Sequence, residues 1–348
     1  MNISSVSIVI PAYNAEKFIT RCIASIVKCN FGDYEIIIVN DGSTDSTLNV
    51  IKREAEKNNK IKIYSIDNSG VAVARNCGIE HSSKKWITFV DADDYLNSNL
   101  IKKVQLNENI WNNNQMVRFD VRYSSSHKES FPESYHDLKP VRYERTNREI
   151  LMENTLGFVD QKKRLGIRMC VCVSTFYLAS FLKSYNIRFP MGVKNGEDMI
   201  FSLRCLEHFE SMTYISFPFY VYYQNPQSLT HRYKPDMDDI TVRFFANLKP
   251  IVERNPFLYN QYCLSAINNL FIEMDHYLFH PSNAMSLHIR YSNYRRIISN
   301  PIYQKALNKK IDFNFGGLNQ LIYKALRKHF YYLVFLIYTL KLIYKITK

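Results

Sequence analysis

Val6–Ile10, Glu35–Val39 and Trp86–Val90 are short β-branched and aromatic runs with almost no polar side chain, and Ile61–Ile66 adds a fourth strand pattern between the last two. A strand with one wet face alternates polar and apolar residues, so runs like these belong to strands covered on both sides. The stretches between them have helical spacing. Ala15–Lys28 carries apolar residues at 18, 19, 22, 23, 26 and 27. A second helix, with Thr44, Asp45 or Ser46 as its cap, runs to about Asn58, and Val71–Glu80 reads as a short third. Covered strands alternating with helices specify an α/β fold built on a doubly wound, mostly parallel, Rossmann-like sheet.

Ligands of such sheets sit beyond the carboxyl ends of the strands. The loops Pro11–Asn14, Asn40–Asp45 and Asp91–Asp94 should therefore line one edge. The last is the most informative, because a buried strand runs directly into Asp91, Asp93 and Asp94. Like charges this close repel unless a cation or hydrogen bonds compensate them. A hard divalent ion shared with a phosphate is one compensator; capping of a helix starting near Asn97 by Asp93 or Asp94 is the plainer alternative. No GxGxxG or GxxxxGK[ST] sequence occurs, which disfavours a dinucleotide fingerprint and a phosphate-cradling loop. That leaves a nucleotide held by acids and metal. Asp41 would be free to accept from a base edge, and Asp91 and Asp93 would hold the metal on a diphosphate.

Later in the chain Asn99–Asn109 reads as a helix, Gln115–Tyr123 as a strand, Ser124–Asn147 as a polar surface loop and Arg168–Tyr177 as strand into helix. Glu197 and Asp198 open a helix with a stripe at 199, 200, 203 and 206. Acids at that place are stabilised by the helix dipole by about 0.3–1 kcal/mol whatever their function.

Four segments in order, Ser7–Asn14, Val39–Asp45, Asn68–Asn76 and Phe89–Asp94, resemble the successive motifs of family 2 glycosyltransferases with the GT-A fold. The resemblance covers residues 5–95 and 165–232 and fades beyond 235. It implies an inverting transferase that uses a nucleotide-diphosphate sugar, most simply a UDP-sugar, with Mn²⁺ or Mg²⁺. By position, Pro11, Tyr13, Asn14 and Asp41 fall in the nucleotide-sugar site, and Arg75 meets the base or ribose. Asp91 lies beside the ribose and metal, and Asp93 ligates the metal. Asp198, at the family's Glu-Asp motif, becomes the candidate general base for the acceptor hydroxyl, and Glu197 orients the acceptor. Ser228 is a candidate phosphate contact and His231 a candidate ligand to metal or phosphate. One departure stands out. Tyr223 occupies a place where the family often has Arg, so Arg232, Lys234, His231 or the metal would have to supply that charge.

The net charge of +13 is uneven, because residues 281–348 hold twelve Lys and Arg against the single acid Asp312. Residues 236–348 read as a basic helical region, with helices at Thr241–Lys249, Tyr259–Phe279 and Ala284–Ser299 and a break at Gly316–Gly317, after a GT-A domain at 1–235 whose nucleotide-sugar half is 1–120 and acceptor half 121–235. The run Phe330–Leu340 is too short to span a bilayer. With Lys324, Arg327, Lys328, Lys341, Lys345 and Lys348 it suits an interfacial helix on an anionic membrane surface, or else a packed helix with snorkelling lysines. The expected acceptor is a lipid-linked saccharide or oligosaccharide of bacterial lipopolysaccharide, O-antigen or capsule assembly. Seven cysteines without CxxC spacing, and no basic-then-apolar leader pattern, suggest a reducing compartment and a protein peripheral on the cytoplasmic face of the cell membrane. Two other classes compete. A nucleotidyltransferase should carry a glycine-rich basic loop after its first strand, where Pro11–Asn14 is neither. A nucleic-acid binder should interleave its charges with stacking or groove-reading motifs, where this tail has an apolar run.

Overall fold

The computed structural model describes residues 5–98, 108–124, 140–158, 165, 167, 169–224 and 233–347. They fall into two compact units, Met1–Thr155 with Leu165–Pro226, and Leu156–Arg164 with Gln227–Lys348. The sequence reading put its division between 235 and 236; the second compact unit begins at Gln227 and includes the short 156–164 segment.

The first unit is a sheet in which nine strands are described. They are β1 (Val6–Ala12), β2 (Tyr34–Asp41), β3 (Ile61–Ile66), β4 (Trp86–Phe89), β5 (Tyr95–Leu96), β6 (Met116–Ser124), β7 (Val141–Glu144), β8 (Thr175–Leu178) and β9 (Ser211–Tyr223). The order is β3-β2-β1-β4-β8-β6-β9-β5, with β7 on β9. The four strands that open the chain are mutually parallel. Every residue of β1, β2 and β4 is buried, as their apolar runs require. β8 is antiparallel to both neighbours, β6 and β9 are parallel, and β5 and β7 pair antiparallel with β9. The second half of the sheet is therefore mixed.

Helices α1 (Ile19–Cys29), α2 (Thr47–Lys57) and α3 (Val71–His81) connect the parallel strands. Gly78 on α3 allows the helix to meet β1, because a Cβ there would stand 2.2 Å from a methyl of Val9. After a turn at Glu108–Trp111 come α4 (Arg148–Leu156), α5 (Ala179–Ser184) and α6 (Glu197–His208). Only the end of the expected 99–109 helix is described; residues 99–107 lie outside the described set. Two expectations need correction. The polar stretch 124–147 contains the strand β7, paired with β9 through backbone bonds that polar side chains do not prevent. The strand expected from Arg168 begins only at Thr175, because the preceding turn is held by the buried Arg118, which donates to the carbonyls of Val171 and Val173.

The edge of the sheet where the parallel strands begin is fastened by one buried acid. Glu35 accepts from Ser7 Oγ at 2.6 Å, Lys62 Nζ at 2.6 Å and the Ser83 N–H at 2.7 Å. It ties β1, β2, β3 and the turn before β4 together. Burial pushes its carboxyl up, but these bonds outweigh it and hold the pKa at about 2.

The second unit is helical where described: α7 (Met237–Arg254), α8 (Tyr259–Glu273), α9 (Leu287–Ile298), α10 (Pro301–Asn308), α11 (Gly317–Arg327) and α12 (Tyr331–Thr347). No helix among the described residues is long and apolar enough to cross a membrane. All seven cysteines are free thiols.

Two predictions follow from the packing. Gly78→Ala forces α3 off β1 and should lower unfolding free energy in denaturant by about 2 kcal/mol. Glu35→Gln should cost about 2 kcal/mol at neutral pH. Its sign with pH is fixed: a carboxylate whose folded pKa lies below the ordinary 4.5 stabilises fully above that value and loses its contribution as pH falls toward 2. The gap between wild type and Glu35→Gln in urea melts should therefore close over that window.

Candidate active site

The carboxyl ends of β1, β2 and β4 share one edge, and their loops are cross-braced. Asn14 adopts a left-handed conformation at φ 50°. Its N–H donates to Ser43 Oγ and its Oδ1 accepts from the Thr44 N–H at 2.9 Å. Asp45 Oδ1 accepts the Thr47 N–H, so Asp45 secures the start of α2. Asn14 thus locks the first loop to the second. Pro11 is buried within β1, while Tyr13 is 49% exposed at the rim.

Asp41 is not free in the way its sequence position suggests. It is buried, and its two oxygens accept from the N–H groups of Ser69 at 2.7 Å and Gly70 at 2.9 Å. A carboxylate has about four acceptor positions, so two lone pairs remain for a ligand. The approach of this turn depends on Gly42, whose φ is +65° and whose absent Cβ would meet Asn68 N at 2.7 Å.

Asp41 in this way sets the start of α3, which carries Arg75 inward. Arg75 is only 3% exposed. Its Nη2 donates to Asp91 Oδ1 at 2.8 Å, and its Nη1 to Asp198 Oδ1 at 2.6 Å and Glu197 Oε1 at 3.3 Å. The guanidinium lies 5.3 Å above the Phe189 ring, whose backbone is held on both sides by the amide of Asn76. The sequence reading assigned Arg75 to the base or ribose. In the fold three hydrogen bonds of its guanidinium go to carboxylates, because a buried guanidinium needs anions around it.

Glu197 and Asp198 stand in the first turn of α6, behind Gly196 at φ 85°. Asp198 Oδ2 also receives the Cys172 N–H at 3.4 Å. Three carboxylates face one cation here, and protonation states respond. Burial and the neighbouring Asp198 charge push Glu197 up to about 7, against Arg75. Burial raises Asp198 as well, opposed by Arg75 and reinforced by Asp91.

The strand-end acids divide by environment. Burial and Asp91 push Asp93 up to about 6. Asp94 is buried and accepts from the Tyr220 hydroxyl at 2.5 Å and the Tyr223 N–H at 2.8 Å. The same hydroxyl accepts the Asp91 N–H at 3.1 Å. Asp94 therefore clamps β9 to the cluster, and residue 97 gives its N–H to the carbonyl of Phe219; the helix for which Asp93 or Asp94 is the alternative cap falls on residues 99–107, outside the described set.

Sequence reasoning missed two residues. Tyr220 is one; an aromatic strand offers no sign that one hydroxyl will reach across to the acids. Arg21 of α1 is the other. Its Nη2 donates to the carbonyl of Asp93, and its guanidinium lies 4.8 Å from the Tyr95 ring centre and 4.7 Å from that of Tyr223. A cation thus stands against the very tyrosine that replaces the family's Arg. The available signal was its place beside the apolar stripe at 18, 19 and 22. Of the other proposed substitutes, Lys234 lies in the second unit, and Arg232 and His231, like Ser228, fall outside the described residues.

The donor set can be tested for a divalent ion. Asp91, Asp93, Glu197 and Asp198 outnumber the nearby Arg75 and Arg21, and an excess of hard oxygen charge suits such an ion. No group of three or more His, Cys, Asp or Glu with metal-holding geometry occurs among the described residues. Mg²⁺-type sites commonly use one or two carboxylates and complete the shell with substrate phosphates and water. Asp91 and Asp93 fit that pattern.

Residues 7–176 match the family model described as glycosyl transferase family 2. The uncharacterized glycosyltransferase EpsJ of Bacillus subtilis is 28% identical over 235 residues, 67% of this chain and 65% of EpsJ. The poly(ribitol-phosphate) beta-N-acetylglucosaminyltransferase TarS of Staphylococcus aureus is 24% identical over 219 residues, 62% of this chain and 35% of TarS. The match thus spans less than two thirds of either relative. The crystal structure of TarS residues 1–349 with UDP-GlcNAc superposes with a TM-score of 0.54 at 18% identity, over 86% of this chain and 90% of that one. The fold is accordingly α/β of the GT-A type with a helical C-terminal part. Through residues 7–176 this chain belongs to glycosyl transferase family 2.

Proposed function

We propose that the protein is an inverting, metal-dependent glycosyltransferase. It moves a hexosyl or N-acetylhexosaminyl group from a nucleotide-diphosphate sugar, a UDP-sugar, to a lipid-linked or oligosaccharide acceptor of bacterial surface polysaccharide. It works on the cytoplasmic side, peripherally on the inner face of the cell membrane. The observation that carries this reading is Arg75, which joins Asp91 at the strand end to Glu197 and Asp198, more than a hundred residues later. One guanidinium holds the donor acids and the acceptor acids in a single site. The UDP donor is supported by TarS, which was solved with UDP-GlcNAc. The acceptor is supported by the name of that relative, which acts on poly(ribitol phosphate), and by the basic C-terminal region.

In this reading Tyr13 and Asn14 at the exposed rim and the buried Pro11 bound the base pocket, and Asp41 adds a lone pair. Asp198 takes the proton of the acceptor hydroxyl as it attacks the anomeric carbon from the face opposite the nucleotide. Arg75 keeps that carboxylate aimed, and Glu197 orients the acceptor. Asp91 and Asp93 would hold a divalent ion, which would supply positive charge for the departing diphosphate. Ser228 and His231 are retained as candidates for phosphate and metal contact.

Asp93→Asn should weaken UDP binding in the presence of Mn²⁺ at least tenfold, about 1.4 kcal/mol, by calorimetry, while leaving the weak metal-free binding unchanged. Equal affinities with and without Mn²⁺ in the wild type would remove the metal from the reading. Asp198→Asn should abolish sugar transfer in a folded protein. Glu197→Gln, which mimics the protonated acid, should hold kcat/KM at the low level the wild type shows on the acid side and lose the rise near pH 7: with its pKa at about 7, Glu197 ionises, and activity rises, as pH increases through that value. A Glu197→Gln profile with the wild-type limb would detach that titration from Glu197.

A further inference from the structure

The last two helices present a surface unlike the rest of the second unit. On α12 the residues Tyr332, Leu333, Leu336, Leu340, Ile343 and Ile346 are all exposed, Leu340 by 67%. At 100° per residue they fall on one stripe, opposite the buried Val334, Phe335, Tyr338 and Leu342. On α11 the exposed Leu318 and Leu321 share a face with the exposed Lys324 and Lys328. Single exposed leucines are ordinary, but a stripe of six on one helix, with further exposed leucines on the helix before it, marks an interaction surface.

Beside α11 lies a cleft of about 360 Å³ lined by Gln320, Tyr323, Lys324, Arg327 and Lys328, with Asp312 the one acid. Arg327 lies 5.7 Å from the centre of the Tyr323 ring, whose hydroxyl is held by the carbonyl of Ile311. Three cations around a small cleft suit a phosphate, which guanidinium and ammonium groups bind through charge-assisted hydrogen bonds.

We propose that this cleft takes the phosphate headgroup of an anionic phospholipid while the stripe of α12 and the leucines of α11 enter the acyl boundary. The inference rests on the membrane-peripheral reading above and gives it a site. Three observations favour a bilayer over other occupants. α12, at 17 residues, is too short to span but long enough to lie in the interface. No acid occurs after Asp312. A two-fold contact with a second copy through α11 would bring Lys324 and Lys328 against their own kind.

The test is sedimentation of the full chain with vesicles of phosphatidylcholine alone or mixed with phosphatidylglycerol, beside donor hydrolysis in solution. Wild type should prefer the phosphatidylglycerol vesicles. Lys324→Gln/Arg327→Gln/Lys328→Gln should lose that preference by about 100-fold, and Leu336→Ser/Leu340→Ser should weaken binding to both vesicles. Both variants change exposed or half-exposed residues, and each should keep wild-type donor hydrolysis. A triple variant with unaltered preference overturns the cleft while leaving the membrane reading standing. Wild type that binds neither vesicle overturns both, and the hydrolysis assay then reports separately on the transferase. Displacement by inorganic phosphate at matched ionic strength would make the cleft a site for free phosphate and overturn the headgroup assignment. A dimer in gel filtration that Leu336→Ser/Leu340→Ser dissolves would assign the stripe to a second copy and overturn the membrane docking.

Discussion

The charge of Arg75 holds this site together. A guanidinium this deeply buried is stable only because Asp91, Glu197 and Asp198 surround it, and they tolerate one another only because it is there. Burial works against its charge, yet the carboxylates outweigh that cost and raise its pKa further. The arrangement is unbalanced by design of the fold, with three acids to one base. Burial, reinforced by that residue of negative charge, raises Glu197 and Asp198, and the excess charge leaves the edge receptive to a cation.

The sheet separates stability from chemistry by its two edges. Where the parallel strands begin, Glu35 is satisfied by Lys62, Ser7 and Ser83, and its acidity is strengthened. Where they end, Asp93 and Asp94 are raised by burial and by like charge. Carboxylates on one sheet are driven in opposite directions by burial, by the like charges near them and by the donors that reach them. Asp94 resolves its share of the repulsion through Tyr220 and Tyr223, which fasten β9 to the cluster. Arg21 adds a cation braced between Tyr95 and Tyr223.

The second unit obeys a different logic. Its inner positions are filled by aromatic packing such as Phe279 against Tyr338 and Phe335. Its last helices leave apolar side chains outside and gather cations beside them. A surface of that composition is costly in water and favourable at the boundary between headgroups and acyl chains.

Local chemistry determined much of this protein from the sequence alone. Covered strands in alternation with helices specify the parallel half of the sheet, because each run states its own burial. The strand-end loops follow from the rule that ligands meet the carboxyl edge, the role of Glu197 and Asp198 comes only from the resemblance to the family, and the motifs from Ser7 to Asp94 are short enough to be read without coordinates. Tertiary structure decided the partners. Asp41 looks free in the sequence and is engaged by Ser69 and Gly70; Arg75 looks like a nucleotide contact and is surrounded by acids; Asp94 is a clamp on β9. The strand β7 was hidden within a polar stretch because backbone pairing needs no apolar side chain. Arg21 and Tyr220 were invisible because their roles depend on approach across 72 and 126 residues of chain. Sequence states what a side chain can bind; only the fold brings its partner within hydrogen-bonding distance and removes the water that would compete.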